Sequence, residues 1–259
     1  MASRELMKRE TPAIEGRARS ASPASRHVFR IQVLGDFEVT DHGRPVKLPT
    51  STWRLVALLA ISGRVRRARA AADLWPDRDE ERAQANLRST LWRLGQVAPG
   101  LVGCASPYLE VGETVRIDLA ELMETSMRLT DQAAVVDLDS IDIQQLCCEL
   151  LPDWYEDFID EQRERVRQVR LHTLEVLGRR LKHAGEFSRA MEVALSAVSQ
   201  APLRETSHQL VMEIHLAEGN VSEAIRHYYA LKTTLKAQLG IPPSEVIRST
   251  MAPWVPRTS

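Results

Sequence analysis

The chain has 259 residues, 44% of them hydrophobic, and a formal net charge of −1, enough for two ordinary domains with cores of their own. No apolar stretch approaches the roughly 20 residues of a transmembrane helix, and the opening MASRELMKRE has no apolar signal core; membrane and secreted classes are set aside and a cytoplasmic protein is expected. Cys147 and Cys148 are adjacent and Cys104 is alone, which excludes a disulfide framework and a C-x-x-C metal site and leaves reduced, partly buried thiols.

Charge is unevenly spread. Residues 1–27 hold six Lys/Arg against three acids, residues 28–118 thirteen against eleven, and the remainder fifteen against twenty-one. A slightly basic front and an acidic back suit a nucleic-acid reader joined to a module that meets protein. The run RVRRAR at 64–69 gathers four arginines; taken alone, such a run is more often a solvated face than a binding patch.

In chain order, residues 1–27 are rich in Ser, Pro and Arg and have little to bury, so a disordered basic tail is expected there. From Val28, short apolar runs in FRIQVLG, FEVTD and PVKL alternate with turn residues and predict a small antiparallel sheet with its second turn at His42-Gly43. Ser51 or Thr52 caps a first helix, WRLVALLAIS, that Gly63 stops. A second helix covers about 66–74 and is closed by Pro76. A third starts near Asp79, with Glu80 and Glu81 in its first turn, and ends around Gly95. LVGC, YLEV and TVRIDL then predict a hairpin with one further strand.

The third helix carries the chemistry. Ala83, Leu87, Leu91 and Leu94 share one face at helical spacing. Arg88, Ser89, Trp92 and Arg93 make the opposite face, flanked by Arg82, Asn86 and Gln96. A helix that reads DNA buries one side and offers donors to base edges on the other, with Arg the best reader of guanine and apolar groups able to meet thymine methyls. Trp92 is open to two readings, a DNA contact or packing against the wing or the neighbouring domain.

The second half reads as helical throughout. DLAELMETSMRLT is followed by acidic DLDSID, then by a segment opening at Pro152 and Asp153 and continuing to Gly185. Its core candidates are Trp154, Phe158, Val166, Val169, Leu174, Leu177 and Leu181, while EQRERVRQVR reads as surface pairing because the signs alternate. Gly185, Phe187 and Ala190 return 34 residues later as Gly219, Val221 and Ala224, the tetratricopeptide period. One repeat cannot bury its own face, so helices before Gly185 supply the remaining hairpin. The fold class expected is mainly α with a small β component: an N-terminal winged helix-turn-helix followed by an all-α tetratricopeptide-like domain. The divisions expected are 28–118, 119–252 and a flexible end at 253–259.

Sheet, three helices and hairpin follow the order of the OmpR/PhoB-type winged helix. With that order in place, FRIQVLGDFEV, ADLWPD, NLRSTLWRL, YLEV and RIDL, then LPDWYEDFIDEQRERVRQVRLHTLE and the LG-x-x-PS ending of LKAQLGIPPS, resemble the Streptomyces antibiotic regulatory protein (SARP) activators. The resemblance spans nearly everything from Phe29 to about Met251. It implies an OmpR-like DNA-binding domain, the output type of two-component regulators, joined to a bacterial transcriptional activation domain. It also implies an activator of a secondary-metabolite gene cluster that binds direct repeats in double-stranded DNA as a homodimer and recruits RNA polymerase holoenzyme, its sigma factor included. The family's readers fall on Arg88, Ser89, Trp92 and Arg93. Two departures stand out: Gly95 replaces a second basic residue, predicting a shortened reading helix, and the wing turn CASPY has no Arg or Lys. Arg66, Arg67 and Arg69 are expected to make backbone contacts in compensation.

Enzyme classes find no support. G-x-x-x-x-G-K-[ST], H-E-x-x-H and G-x-S-x-G are missing, so no cofactor, metal or ATP is expected. Asp157, Asp160 and Glu161 sit among arginines, where surface pairing accounts for them. The alternative function is a helical adaptor for protein partners that does not bind DNA; such an adaptor has no reason to keep Arg88 and Arg93 outermost.

Overall fold

In β1 (Phe29–Gln32) buried Phe29 and Ile31 alternate with half-buried Arg30 and Gln32, the period of a strand with one face on a core. The computed structural model describes residues 28–131 and 133–255; the tail expected at 1–27 and residues 256–259 lie outside them. β1 pairs antiparallel with β2 (Glu38–Asp41), which turns back to β3 (Arg44–Pro45). The turn falls at His42-Gly43, at φ 47° and 75°, the two left-handed positions a two-residue hairpin needs.

α1 (Thr50–Ser62) begins ahead of the expected Ser51 or Thr52 cap. Pro49 takes the capping position with its φ fixed at −59°, and the Thr52 hydroxyl donates to the Pro49 carbonyl at 2.7 Å. Gly63, at φ 71°, ends the helix as expected. α2 (Arg67–Leu74) and α3 (Glu80–Val97) follow. The Asp79 carboxylate accepts from the Arg82 amide at 2.9 Å and caps α3 where the sequence placed its start.

One expectation needs correction here. α3 does not stop at Gly95 but runs to Val97. Gly95 is exposed and costs helix about 1 kcal/mol relative to Ala, while buried Leu94 and Ala98 hold the last turn on the core. The expected hairpin is β5 (Val102–Ala105) and β6 (Tyr108–Val111), the wing, and the further strand falls within TVRIDL as expected. β7 (Arg116–Ile117) lies parallel to β1, and the wing is completed by β4 (Val65–Arg66) from the arginine run, with Val65 opposite Leu109 and Arg66 opposite Tyr108. Buried Val65 and Leu109 drive that pairing.

α4 (Asp118–Thr130) opens on an Asp that is 1% exposed. Its carboxylate accepts from the amides of Val33 at 3.0 Å, Leu34 at 2.9 Å and Leu119 at 2.7 Å. Burial pushes its pKa up, opposed by those amides and by the Arg30 charge. After α5 (Ile143–Cys147), the segment expected to be helical from Pro152 is instead extended and turned until α6 (Asp157–His183). Its backbone is needed elsewhere: Leu150 bridges Leu34, the Leu151 amide donates to Val33 at 3.0 Å, and the Gly35 amide donates to Glu149 at 2.7 Å. The two halves therefore share one continuous apolar core, from Phe29 and Ile31 through Leu87 to Leu171 and Ile214.

α7 (Phe187–Gln200), α8 (Glu205–Ala217), α9 (Val221–Leu239) and α10 (Glu245–Met251) complete the chain. Gly185 and Gly219 take φ 79° and 81° after α6 and α8, and Ala190 and Ala224 are fully buried where the helix pairs meet. That is the tetratricopeptide-like packing expected from the repeat. A Cβ on Gly178 would lie 2.6 Å from Leu210 Cδ2, so α6 and α8 pack closely there and a side chain would have to displace the Leu210 methyl. Of the core candidates expected in this segment, those on α6 are buried except half-buried Val169, and Trp154, ahead of α6, is half-buried.

EQRERVRQVR is only partly a paired surface. Arg167 pairs with Glu164 at 2.9 Å. Arg170, however, is 2% exposed and donates to the carbonyl of Leu146 at 3.1 Å, and to Cys147 and Gln200. Arg163 likewise donates to the carbonyls of Leu150, Leu151 and Trp154. Arg163 thus satisfies irregular backbone ahead of α6, and Arg170 satisfies carbonyls of the last turn of α5. Cys147 and Cys148 are half-buried free thiols, but Cys104 is exposed on the wing. Among the described residues no helix is long and apolar enough to cross a membrane.

Candidate nucleic-acid interface

α3 is seated by Ala83, Leu87, Thr90 and Leu94, all buried, with Leu91 half-buried beside them. Thr90 lies a third of a turn from Leu91, so the buried stripe is slightly rotated from the leucine pattern. The opposite side is open. Arg88, Ser89, Trp92 and Arg93 are exposed and together line one shallow hollow. Trp92 is 67% exposed, so it packs neither under the wing nor against the helical half.

Few interactions tie these side chains down. The Ser89 hydroxyl donates to the Ala85 carbonyl at 3.1 Å, and the Arg93 guanidinium reaches Ser51 Oγ only at 3.4 Å, a long bond that gives little. Arg82 stays within 3.4 Å of Asp79 at the start of α3. Gln96 is exposed and Asn86 half-buried. A rigid helix thus holds two arginines and an indole outward, and no folding interaction requires them there.

The arginine run does not act as one patch. Arg66 lies on β4 beside the wing; its guanidinium carbon sits 5.5 Å from the Tyr108 ring centre and that of Arg64 4.3 Å from it, within cation–π range. Arg67 is half-buried at the start of α2, its amide donating to the Pro107 carbonyl of the wing turn at 2.9 Å. Arg69 is turned to Asp73 at 2.7 Å, which holds its pKa above the usual arginine range. The wing turn without a cation is therefore flanked by two cations, Arg66 on β4 and Arg64 just before it. Sequence reading did not single out Tyr108, nor Arg64 within its run, because a two-residue strand gives no periodic signal.

The two halves meet electrostatically as well. Arg54 on α1 donates to Glu156, just before α6, at 2.6 Å, and Arg30 on β1 makes a paired contact with Glu121 on α4 at 2.7 and 2.9 Å. Among the described residues no group of three His, Cys, Asp or Glu could hold a metal ion.

Residues 147–253 match the family model of the bacterial transcriptional activator domain. Among solved structures the chain is similar to EmbR of Mycobacterium tuberculosis, determined in complex with a low-affinity phosphopeptide. The TM-score is 0.68 at 19% identity, over 86% of this chain and 64% of that one, and the likeness is one of fold. A search of curated proteins finds no match. The chain thus carries a winged helix followed by a segment that matches the bacterial transcriptional activator domain.

Proposed function

We propose that the protein is a sequence-specific DNA-binding activator in which α3 enters the major groove. Arg88 and Arg93 donate to guanine, Ser89 to a base or phosphate, and Trp92 meets a thymine methyl or a sugar. Arg82, Asn86 and Gln96 flank the reading face, and Arg66, Arg67 and Arg69 contact phosphates. On this reading residues 28–118 are the reader and 119–252 the activation domain. The observation that carries the proposal is the outer face of α3, where Trp92 and both arginines stand exposed while the other side is seated in the core.

The finer reading follows from the resemblance of the sequence to the SARP activators. The protein binds direct repeats as a homodimer, recruits RNA polymerase through its sigma factor, and activates a secondary-metabolite cluster from the cytoplasm, at the nucleoid. No catalytic step is assigned to it. Arg93→Ala tests the reading face: promoter binding in a gel-shift titration should weaken by about 1–3 kcal/mol, the range for a bidentate base contact. Unchanged binding at unchanged fold would remove Arg93 from the interface. Salt-independent retention of every DNA fragment tried, or of none, would favour the helical adaptor.

A further inference from the structure

The second half of the chain is acidic, yet one of its hollows is lined without a single acid. It measures about 610 Å³ and lies between the end of α4, the face of α6 and the segment leading to the short helical turn Leu138–Ser140. Leu129, Val136, Leu138 and Val176 supply its apolar lining. The polar part is Thr130 at the end of α4 and, from one side of α6, His172, Arg179, Arg180 and His183. The acids that adjoin lining residues in the sequence are engaged elsewhere: Asp131 and Asp137 accept from the Ala133 and Asp139 amides, Asp139 pairs with Arg189 at 2.5 Å, and Glu175 accepts from Arg204, Thr206 and Ser207.

The two arginines differ. Arg180 donates to the backbone carbonyls of Asp131 at 2.6 Å and Ala134 at 3.2 Å, which fastens the covering segment to α6. Arg179 is half-buried and makes no hydrogen bond or ion pair with any described residue. A guanidinium beside an apolar wall, with its five donors unspent, matches a carboxylate attached to an apolar body. The volume falls in the range of small-molecule sites, about 300–1,000 Å³, which are typically mostly apolar with a few placed polar groups.

We propose that this hollow binds a small amphipathic carboxylate. The apolar body lies against Leu129, Val136, Leu138 and Val176, the carboxylate pairs with Arg179, and the two histidine rings stand at the mouth. The site is remote from the reading face of α3 and stands whether or not that face binds DNA.

The test uses the full chain at pH 7 with octanoate and 3-phenylpropanoate, each beside its primary amide, followed through the ring C–H signals of His172 and His183. These signals are assigned with His172→Gln and His183→Gln. Saturable shifts are expected with both acids. Arg179→Gln should weaken acid binding tenfold or more without changing amide binding, and Arg179→Lys should restore part of it. Arg165→Gln, an exposed arginine of the same helix outside the hollow, should leave acid binding as in the wild type, and all variants should keep the wild-type circular dichroism. No saturable shift with either acid, equal binding of acid and amide, or equal losses in Arg179→Gln and Arg165→Gln would overturn the proposal.

Discussion

Asp118 joins the two halves, and its removal has a calculable cost. Its carboxylate receives the amides of Val33, Leu34 and Leu119 at 2.7–3.0 Å in a site where the residue is 1% exposed. Asp118→Ala leaves three buried donors without their acceptor, at about 1–3 kcal/mol each. Two effects reduce the sum. The adjoining hollow of about 230 Å³ can admit water to some of the amides, and burial already disfavours the charged carboxylate, which raises its pKa. The net expected loss is about 2–4 kcal/mol, measured by urea unfolding followed by far-ultraviolet circular dichroism. Asp118→Asn keeps one acceptor oxygen and should fall between. Hydrogen exchange should speed up at Val33 and Leu34 in particular. A loss under about 0.5 kcal/mol, or exchange at those amides as slow as in the wild type, would refute the assignment of Asp118 as their buried acceptor.

Replacing Arg66 and Arg67 together should weaken binding to all DNA sequences alike and flatten its salt dependence, because each phosphate neutralised releases counterions; titrations at several salt concentrations read this directly. His227 supplies a pH dependence. Burial, then the neighbouring His208 and His215, lower its pKa from 6.5 to about 4, so the unfolded chain binds more protons between those values. Its contribution to stability is full above about pH 6.5 and is lost as pH falls toward 4, by on the order of 2–3 kcal/mol. His227→Gln, which keeps a donor for His208 Nδ1, should flatten unfolding free energy against pH across that window. A fragment of 119–259 should fail to bind DNA and, lacking Asp118 and the Leu34 bridge to Leu150, should unfold at lower urea than the whole chain.

Local chemistry made much of this fold readable. Asp79 followed by two acids and a leucine stripe specified where α3 begins and which side is buried, and His42-Gly43 specified its hairpin. Pairings between distant segments were not readable. β4 is two residues long, too short for any periodic signal, and is made by contact with β6 some forty residues on. The stretch at 150–156 has helix-like composition, but its backbone pairs with Val33–Gly35, far back in the chain. Arg163, Val166, Arg170 and Leu174 stand three or four residues apart on α6, so they share a face. That spacing, set against the alternating signs that suggested a surface, was the available clue that two arginines turn inward.

At the candidate interface, Arg88, Ser89, Trp92 and Arg93 come together because residues one, four and five apart cluster on a helix. Arg66, Arg67 and Arg69 come apart because a strand ends and a helix begins among them. Contiguity in sequence kept the first group only because it lies within one element.

The most direct test of the central claim is selection from a pool of random double-stranded DNA by the wild-type protein and by Arg93→Ala in parallel. The wild type should enrich a short guanine-containing element, repeated in the same orientation, and the variant should lose preference at one position of each copy while keeping the others. Enrichment of no sequence by the wild type, or of the same sequence with equal preference by both proteins, would contradict α3 as the surface that reads DNA.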